Sequence, residues 1–177
     1  FDNVDKQILR NLIKVLNINT EICWTERGVH LFFKKPNGVR FPVNAIAKCG
    51  LPVEYKKKTG KNISITRKMN GVPRETYNLG KREELPEFLY PFKKGTDSDT
   101  VNLSALQQGS RNNNLFKYGL LIKSLKNWQT YLKWANDNIL DEPLPEKEID
   151  AIVNSVQAHE GGTCLLYTSD AADDRMR

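Results

Sequence analysis

The hydrophobic pattern of the chain changes once, in the segment that covers residues 84–99. Before this segment, short runs of β-branched and aromatic residues alternate with turn-forming residues, which is the pattern of short strands. After it, apolar residues recur at intervals of three and four, which is the pattern of amphipathic helices. A chain of 177 residues is long enough for two small units of this kind. We therefore predict an α+β fold in which a sheet domain is followed by a small all-α domain of three helices.

The sheet domain is expected to begin with a helix and to continue with strands joined by turns. Apolar residues from Val4 to Leu16 recur at helical spacing, and Asn17 and Asn19 close that pattern. Strands are predicted over residues 21–24, 29–34, 53–56 and 63–67. The last two strands are predicted to form a hairpin, with residues 58–61 as its loop.

The second half of the chain is predicted to hold three helices. They are indicated by apolar positions within residues 115–125, 131–139 and 149–156, and Pro145 marks the start of the third. Residues 85–92 form a segment rich in aromatic residues, which we call the aromatic segment, and they are expected to dock back on the first domain. Residues 95–100 have the composition of a linker. The predicted domains are therefore residues 1–94 and residues 101–160.

Both ends of the sequence indicate that it is a piece of a longer protein. The chain opens at Phe1 without an initiator methionine, and residues 164–173 read like the in-frame translation of a sequencing adapter. We therefore expect residues 163–177 to be non-native and leave them out of the fold prediction. The sequence contains neither a signal peptide nor an apolar run that could span a membrane, so we expect a cytoplasmic protein with no membrane partner.

Charge and cysteine content limit the kinds of ligand. The net charge of +6 suits a polyanionic partner such as nucleic acid, although a basic solvated surface would have the same charge. Cys23 and Cys49 form no CxxC pair, and the chain has only two histidines, so no zinc site is expected. Free thiols in a reducing cytoplasm are the expected state.

Four features could carry chemistry, and each also has an ordinary structural explanation. Asp2 precedes the first helix, where a carboxylate commonly complements the helix dipole. His30 and Glu54 lie in predicted strands, where single polar residues are common. The Ser and Asn residues at 110–114 precede a helix, where they commonly serve as caps. Taken one at a time, none of these features defines a function.

Their order resembles that of a known family. Residues 25–34 (Thr-Glu-Arg-Gly-Val-His-Leu-Phe-Phe-Lys) resemble the second motif of the archaeo-eukaryotic primase-polymerase superfamily, especially its phage and plasmid branch. Residues 51–56 (Leu-Pro-Val-Glu-Tyr-Lys) are similar to its third motif, and residues 1–3 (Phe-Asp-Asn) to the second half of its Asp-x-Asp first motif. This resemblance covers residues 1 to about 92. It implies that the first carboxylate of the family stands immediately before Phe1.

A second resemblance covers residues 100 to about 158. Residues 109–117 (Gly-Ser-Arg-Asn-Asn-Asn-Leu-Phe-Lys), followed by residues 136–139 and 142–149, resemble the primase C-terminal domain. That small helical module commonly follows a primase-polymerase domain directly. Each of the two resemblances therefore supports the other.

The resemblance implies template-dependent nucleotidyl transfer, in which a 3′-hydroxyl attacks an α-phosphate and pyrophosphate leaves. The family uses Mg²⁺ or Mn²⁺, because clustered carboxylates are suitable oxygen ligands for these ions. By carry-over, Asp2 and Glu54 are metal ligands and, with His30, form the catalytic set. By the same carry-over, His30 contacts the triphosphate of the incoming nucleotide. The basic side chains of Lys34, Lys56 and Arg74 are further candidates for phosphate contacts, with a solvated surface as the alternative. Arg111, Asn112 and Asn113 are candidates for nucleic-acid contacts, with a role at the interface with the catalytic domain as the alternative.

Two departures from the family pattern affect this interpretation. Glu54 stands where the family usually has Asp, and the first carboxylate is not part of the chain. We therefore expect the chain as given to be inactive even where its parent is an active DNA primase and polymerase. Trp128 and Trp134 are candidates for stacking on bases of a template, although Trp134 fits the helix core better.

The expected partners are single-stranded DNA template, nucleoside triphosphates and a replicative helicase, fused or in trans. No Walker motif is visible in the sequence to support a fused helicase. Two other functions stay open. One is a non-catalytic, single-stranded-DNA-binding replication-initiation module, and the other is a metal-dependent nuclease that uses similar carboxylates.

Overall fold

The computed structural model describes residues 1–56, 67–93, 95–96, 103 and 109–159. Within these residues the chain has four α-helices and three small sheets, so the predicted α+β class is confirmed. The predicted hairpin loop, most of the predicted strand over residues 63–67 and the adapter-like residues lie outside the described part. The predicted linker is described only at Gly95 and Thr96.

Helix α1 (Lys6–Val15) forms where the helical repeat predicts it. The carboxylate of Asp5 caps it by accepting hydrogen bonds from the backbone N–H groups of Gln7 (2.7 Å) and Ile8 (3.3 Å). Leu9 and Leu12 are fully buried on one side of the helix. Both side chains belong to the hydrophobic core of the protein.

The strands in chain order are β1 (Glu21–Trp24), β2 (Val29–Lys34), β3 (Asn44–Ile46), β4 (Pro52–Glu54), β5 (Lys68–Met69), β6 (Val72–Pro73), β7 (Thr76–Tyr77) and β8 (Glu83–Glu84). Four of them form the main sheet in the order β7-β1-β2-β8, in which only the β2–β8 pair is parallel. The pairs β3–β4 and β5–β6 form two separate antiparallel ladders. Within the described residues β4 therefore pairs with β3, which precedes it in the chain, whereas most of its predicted partner over residues 63–67 lies outside the described part.

The register of the main sheet sorts its side chains onto two faces. Side chains of directly opposed residues in an antiparallel pair project from the same face. Glu21 is opposed to Phe32 and Cys23 to His30, and Thr76 is opposed to Cys23. We call the face that carries these five residues the polar face. The opposite face packs into the hydrophobic core through residues that include Ile22, Trp24 and Val29.

A short N-terminal segment pairs with β2 on the edge away from β1. The backbone N–H of Val29 donates to the carbonyl of Phe1, and the Phe1 amine donates to the carbonyl of Val29, both at 3.0 Å. Asp2 bridges Gly28 in the antiparallel sense. A Cβ atom at Gly28 would lie 2.1 Å from the Phe1 carbonyl oxygen, so the close approach of the segment requires glycine.

The three predicted helices of the second half are confirmed as α2 (Arg111–Ile122), α3 (Trp128–Ile139) and α4 (Glu146–Ala158). Gly119 of α2 lets α4 approach closely, because a Cβ atom there would lie 2.8 Å from a methyl group of Val156. The buried side chain of Asn136 fixes the loop before α4. Its amide donates to the carbonyl of Leu144 (3.2 Å) and accepts from the N–H of Leu144 (2.8 Å).

The helices and the sheet share one continuous hydrophobic core. Phe88, in the aromatic segment, stacks on Tyr131 of α3 with ring centroids 4.1 Å apart. The hydroxyl of Tyr118 in α2 donates to the carbonyl of Lys48 at 2.5 Å. The aromatic segment therefore docks between the two halves. Among the described residues, no helix has both the length and the apolar character needed to cross a membrane.

Candidate functional site

His30 lies in the middle of the polar face. It is half-buried in β2, and its ring contacts that of Phe32 edge-on, with the centroids 6.4 Å apart. Cys23, which is opposed to His30 on the same face, is fully buried. The sheet thus holds the imidazole partly out of solvent, where electrostatic interactions with nearby charges are stronger than they would be in water.

The charges near His30 are mostly positive. Burial lowers the pKa of His30, and the chain amine, Lys56 and Arg74 lower it further, whereas Glu54 acts in the opposite direction. Glu54 and Lys56 form an ion pair of 3.7 Å. The structure therefore brings Glu54, Lys56 and Arg74 into electrostatic reach of His30, although they are well separated from it in the sequence. A neutral imidazole among cationic side chains is a suitable environment for an anionic ligand.

Asp2 is at the edge of this group. Its carboxylate pairs with Arg27 at 3.0 Å, and both side chains are more than half exposed. Asp2 and Glu54 both act electrostatically on the chain amine, which donates to the carbonyl of Val29. Each of the two carboxylates thus has a different cation as its partner.

The donors in the described part of the chain do not form a divalent-cation site. No group of three or more His, Cys, Asp or Glu side chains that could hold a metal ion occurs among those residues. The two predicted metal ligands, Asp2 and Glu54, are each paired with a cation instead.

Lys34 is not brought to His30. It lies on the polar face four residues further along β2, which corresponds to about 13 Å of strand. Its ammonium group pairs with Glu84 of β8 at 3.6 Å, and both side chains are mostly exposed. A ligand with one phosphate group at His30 would have to be long to contact Lys34 as well.

The charged cluster nearest to Phe32 was not predicted. Glu21 is fully buried, and it accepts hydrogen bonds from Arg67 (3.0 and 2.7 Å, both to Oε1) and from Arg82 (2.7 Å, to Oε2). The backbone N–H of Gly80 also donates to it at 2.9 Å. One feature of the sequence could have indicated this cluster, namely the acidic residue in the otherwise apolar run Glu-Ile-Cys-Trp. A carboxylate in a buried strand requires cationic partners.

This cluster keeps Glu21 ionised. Burial raises the pKa of Glu21, but the hydrogen bonds from Arg82 and Arg67 and from the Gly80 backbone outweigh it and lower the pKa to about 2. The guanidinium carbon of Arg82 also lies 5.0 Å from the centre of the Phe32 ring. Arg82 is thus fixed both by a carboxylate and by a cation–π contact.

The candidate nucleic-acid residues of α2 mostly make contacts within the helical part. Arg111 donates to the backbone carbonyl of Glu142 and lies 3.4 Å from its carboxylate. Asn112 donates to Glu148 in the first turn of α4 at 3.1 Å, whereas Asn113 is exposed. Arg111 and Asn112 thus join α2 to the loop before α4 and to α4 itself.

The suggestion that Trp128 stacks on bases does not fit this structure. Trp128 and Trp134 are only 7% and 6% exposed, and both belong to the hydrophobic core. A base would have to displace core contacts to reach either ring. The position of Trp134 in the helix core agrees with the sequence interpretation.

Comparisons of the chain with known protein families, with curated proteins and with solved structures found no match.

Proposed function

We propose that the chain is part of a DNA primase and polymerase that carries out template-dependent nucleotidyl transfer in phage or plasmid replication. The observation that carries the proposal is the pairing of residues 1–2 with Gly28 and Val29, directly beside His30. In primase-polymerases an acidic strand and a histidine strand contribute to one site. The motif resemblance and the strand pairing are independent of each other.

The register of that pairing gives the proposal a specific form. Phe1 is opposed to Val29, so one further antiparallel step would place the preceding residue of a longer chain opposite His30. Opposed residues project from the same face, so that residue would share the polar face with His30. This is the position at which the resemblance expects the first carboxylate. A carboxylate there, with Asp2 and Glu54, would complete the ligand set for Mg²⁺ or Mn²⁺.

Within this proposal, the chain's own residues bind and orient the triphosphate. Burial and the charges of Lys56 and Arg74 lower the pKa of His30 and so favour the neutral imidazole, which has one ring N–H to donate to a phosphate oxygen. Lys56 and Arg74 contribute positive charge beside it. These groups would balance the negative charge that develops on the leaving pyrophosphate when a 3′-hydroxyl attacks the α-phosphate. Lys34 lies further along β2 and would contact only a ligand that extends past His30.

The helical part is proposed to help bind single-stranded DNA, with exposed Asn113 as its accessible polar residue and Arg111 and Asn112 as supports for the α2 terminus. A replicative helicase, fused or in trans, remains a proposed partner.

The test is a primer-synthesis assay with the full-length parent protein on single-stranded DNA, with Mg²⁺ or Mn²⁺ and labelled nucleoside triphosphates. We expect His30→Ala and Glu54→Ala to abolish synthesis while circular dichroism shows that both proteins remain folded. Glu84→Gln, which removes an exposed carboxylate far along the sheet, is the control and should keep wild-type activity.

Other outcomes identify the alternatives. A parent that binds single-stranded DNA but makes no product would be a non-catalytic initiation module. A parent that cuts DNA in a reaction that needs Glu54 would be a nuclease.

A further inference from the structure

Glu21, Arg67 and Arg82 form a group that the proposed function does not explain. The Glu21 carboxylate is 0% exposed, whereas the side chains of Arg67 and Arg82 are 42% and 32% exposed. One end of each guanidinium is therefore held in the sheet while the remainder faces solvent. These solvent-facing parts are accessible to a ligand.

Donor counting shows what remains available for a ligand. A guanidinium has five N–H donors in a planar fork. Glu21 accepts from Nε and one terminal nitrogen of Arg67, and one terminal nitrogen of Arg82 donates to Glu21 and to the carbonyl of Lys81. Within the described residues, each arginine therefore retains donors that no hydrogen bond engages, on a group whose position is already fixed.

The cluster is continuous with the candidate site. Arg82 lies over the ring of Phe32 at 5.0 Å, and that ring contacts His30 with centroids 6.4 Å apart. All of these side chains are on the polar face or above it. Fixed guanidinium forks in this position match the geometry of phosphate oxygens, which arginine recognises through paired hydrogen bonds.

We propose that Glu21 is a positioning residue that holds Arg67 and Arg82 on the polar face as a binding site for phosphate groups. The inference rests on the proposed function for its ligand, which is the phosphate chain of a nucleotide or the phosphate backbone of single-stranded DNA. Arg67 and Arg82 make the contacts, and Glu21 acts only through them.

Substitution of Glu21 tests the proposal through the direction in which the affinity for phosphate changes. Glu21→Gln removes a negative charge, so simple electrostatics predicts tighter binding of an anion. If Glu21 positions the arginines, the same substitution weakens binding, because the side chains lose their fixed orientation and must be ordered by the ligand. The two explanations therefore predict opposite changes.

The experiment measures binding of inorganic tripolyphosphate, and separately of a single-stranded oligonucleotide, to the full chain by calorimetry at constant ionic strength. We expect Arg67→Gln and Arg82→Gln each to weaken binding of one or both ligands by at least about tenfold. We expect Glu21→Gln to weaken it by roughly threefold to tenfold. Lys126→Gln, which removes one positive charge as the two arginine substitutions do, changes an exposed residue between α2 and α3; it is the control for them and should change binding by less than about twofold.

Circular dichroism and thermal unfolding must show each variant folded at the temperature of the titration. Arg67→Gln and Arg82→Gln change partly exposed side chains, so they remain informative if Glu21→Gln fails to fold. Comparison of the two ligands shows whether the site binds the phosphate chain of a nucleotide or the phosphate backbone of single-stranded DNA. Unchanged binding in both arginine variants overturns the inference, and tighter binding by folded Glu21→Gln overturns the positioning role.

Binding and synthesis can fail separately. If tripolyphosphate binding depends on the arginines but the parent makes no primers, the phosphate site stands and the proposed function fails. If the parent makes primers and the arginine variants bind normally, the proposed function stands and this inference fails.

Discussion

Replacing Glu21 by Gln should destabilise the fold by an amount that depends on pH. The substitution keeps the size of the side chain but removes the charge that Arg67 and Arg82 surround. Folding lowers the pKa of Glu21 from 4.5 to about 2. A difference of about 2.5 pKa units at roughly 1.4 kcal/mol per unit corresponds to about 3 kcal/mol of stability at pH 7.

The direction of the pH effect follows from the lowered pKa. Between pH 4.5 and pH 2 the unfolded chain binds a proton at Glu21 that the folded chain does not. The stabilisation is therefore complete above about pH 4.5 and is lost as the pH falls towards 2. The contribution should still be about 3 kcal/mol at pH 5 but only about 1 kcal/mol at pH 3.

Urea unfolding of wild type and Glu21→Gln at pH 7, 5 and 3 measures this contribution. Glu84→Gln is the matched control, because its carboxylate is 73% exposed and its ion pair with Lys34 should contribute less than about 1 kcal/mol. Equal stability of wild type and Glu21→Gln at pH 7 would refute the reasoning. So would a difference that stays the same between pH 5 and pH 3.

Three further predictions concern packing, a loop and the site. Gly119→Ala should lower the free energy of unfolding by about 1–2 kcal/mol, because overpacking against Val156 outweighs the higher helix propensity of alanine. Thermal unfolding measures this change, and a stabilised variant would contradict the prediction. Asn136→Ala should cost about 2 kcal/mol in urea unfolding, because it leaves the buried N–H and carbonyl of Leu144 without their partner; a loss below about 0.5 kcal/mol would contradict it. The pKa of His30 should lie below 6.5 in an NMR titration and rise when tripolyphosphate is added, because a bound anion favours the imidazolium; an initial value of 6.5 or above would be contrary evidence.

Those parts of the fold with a long hydrophobic repeat could be predicted from the sequence. The helical repeat predicted α1 and the three later helices, and the β-branched and aromatic run predicted β2. Several other strands have only two residues, and a strand that short contains no alternation to recognise. The pairing of β4 with β3 depends on a turn within residues 47–51, which has no periodic signal.

The candidate site was predictable only where one motif contained the information. The resemblance selected His30 and Glu54, and the structure brings the charge of Glu54 into reach of His30. The Glu21 cluster draws its two arginines from more than 40 residues away in the sequence, so no local pattern reveals it. Lys34 was selected because it is basic and close in the sequence, but strand geometry separates it from His30.

The most direct test of the proposed site is the identity of the residue that precedes Phe1 in the complete gene. Sequencing upstream of the Phe1 codon determines it, and the register beside β2 assigns that residue to the position opposite His30. We predict aspartate or glutamate there, at the end of a strand-forming apolar run. An apolar or basic residue at that position would leave the proposed ligand set of Asp2 and Glu54 without its third carboxylate and would contradict the proposal of a nucleotidyl-transfer site.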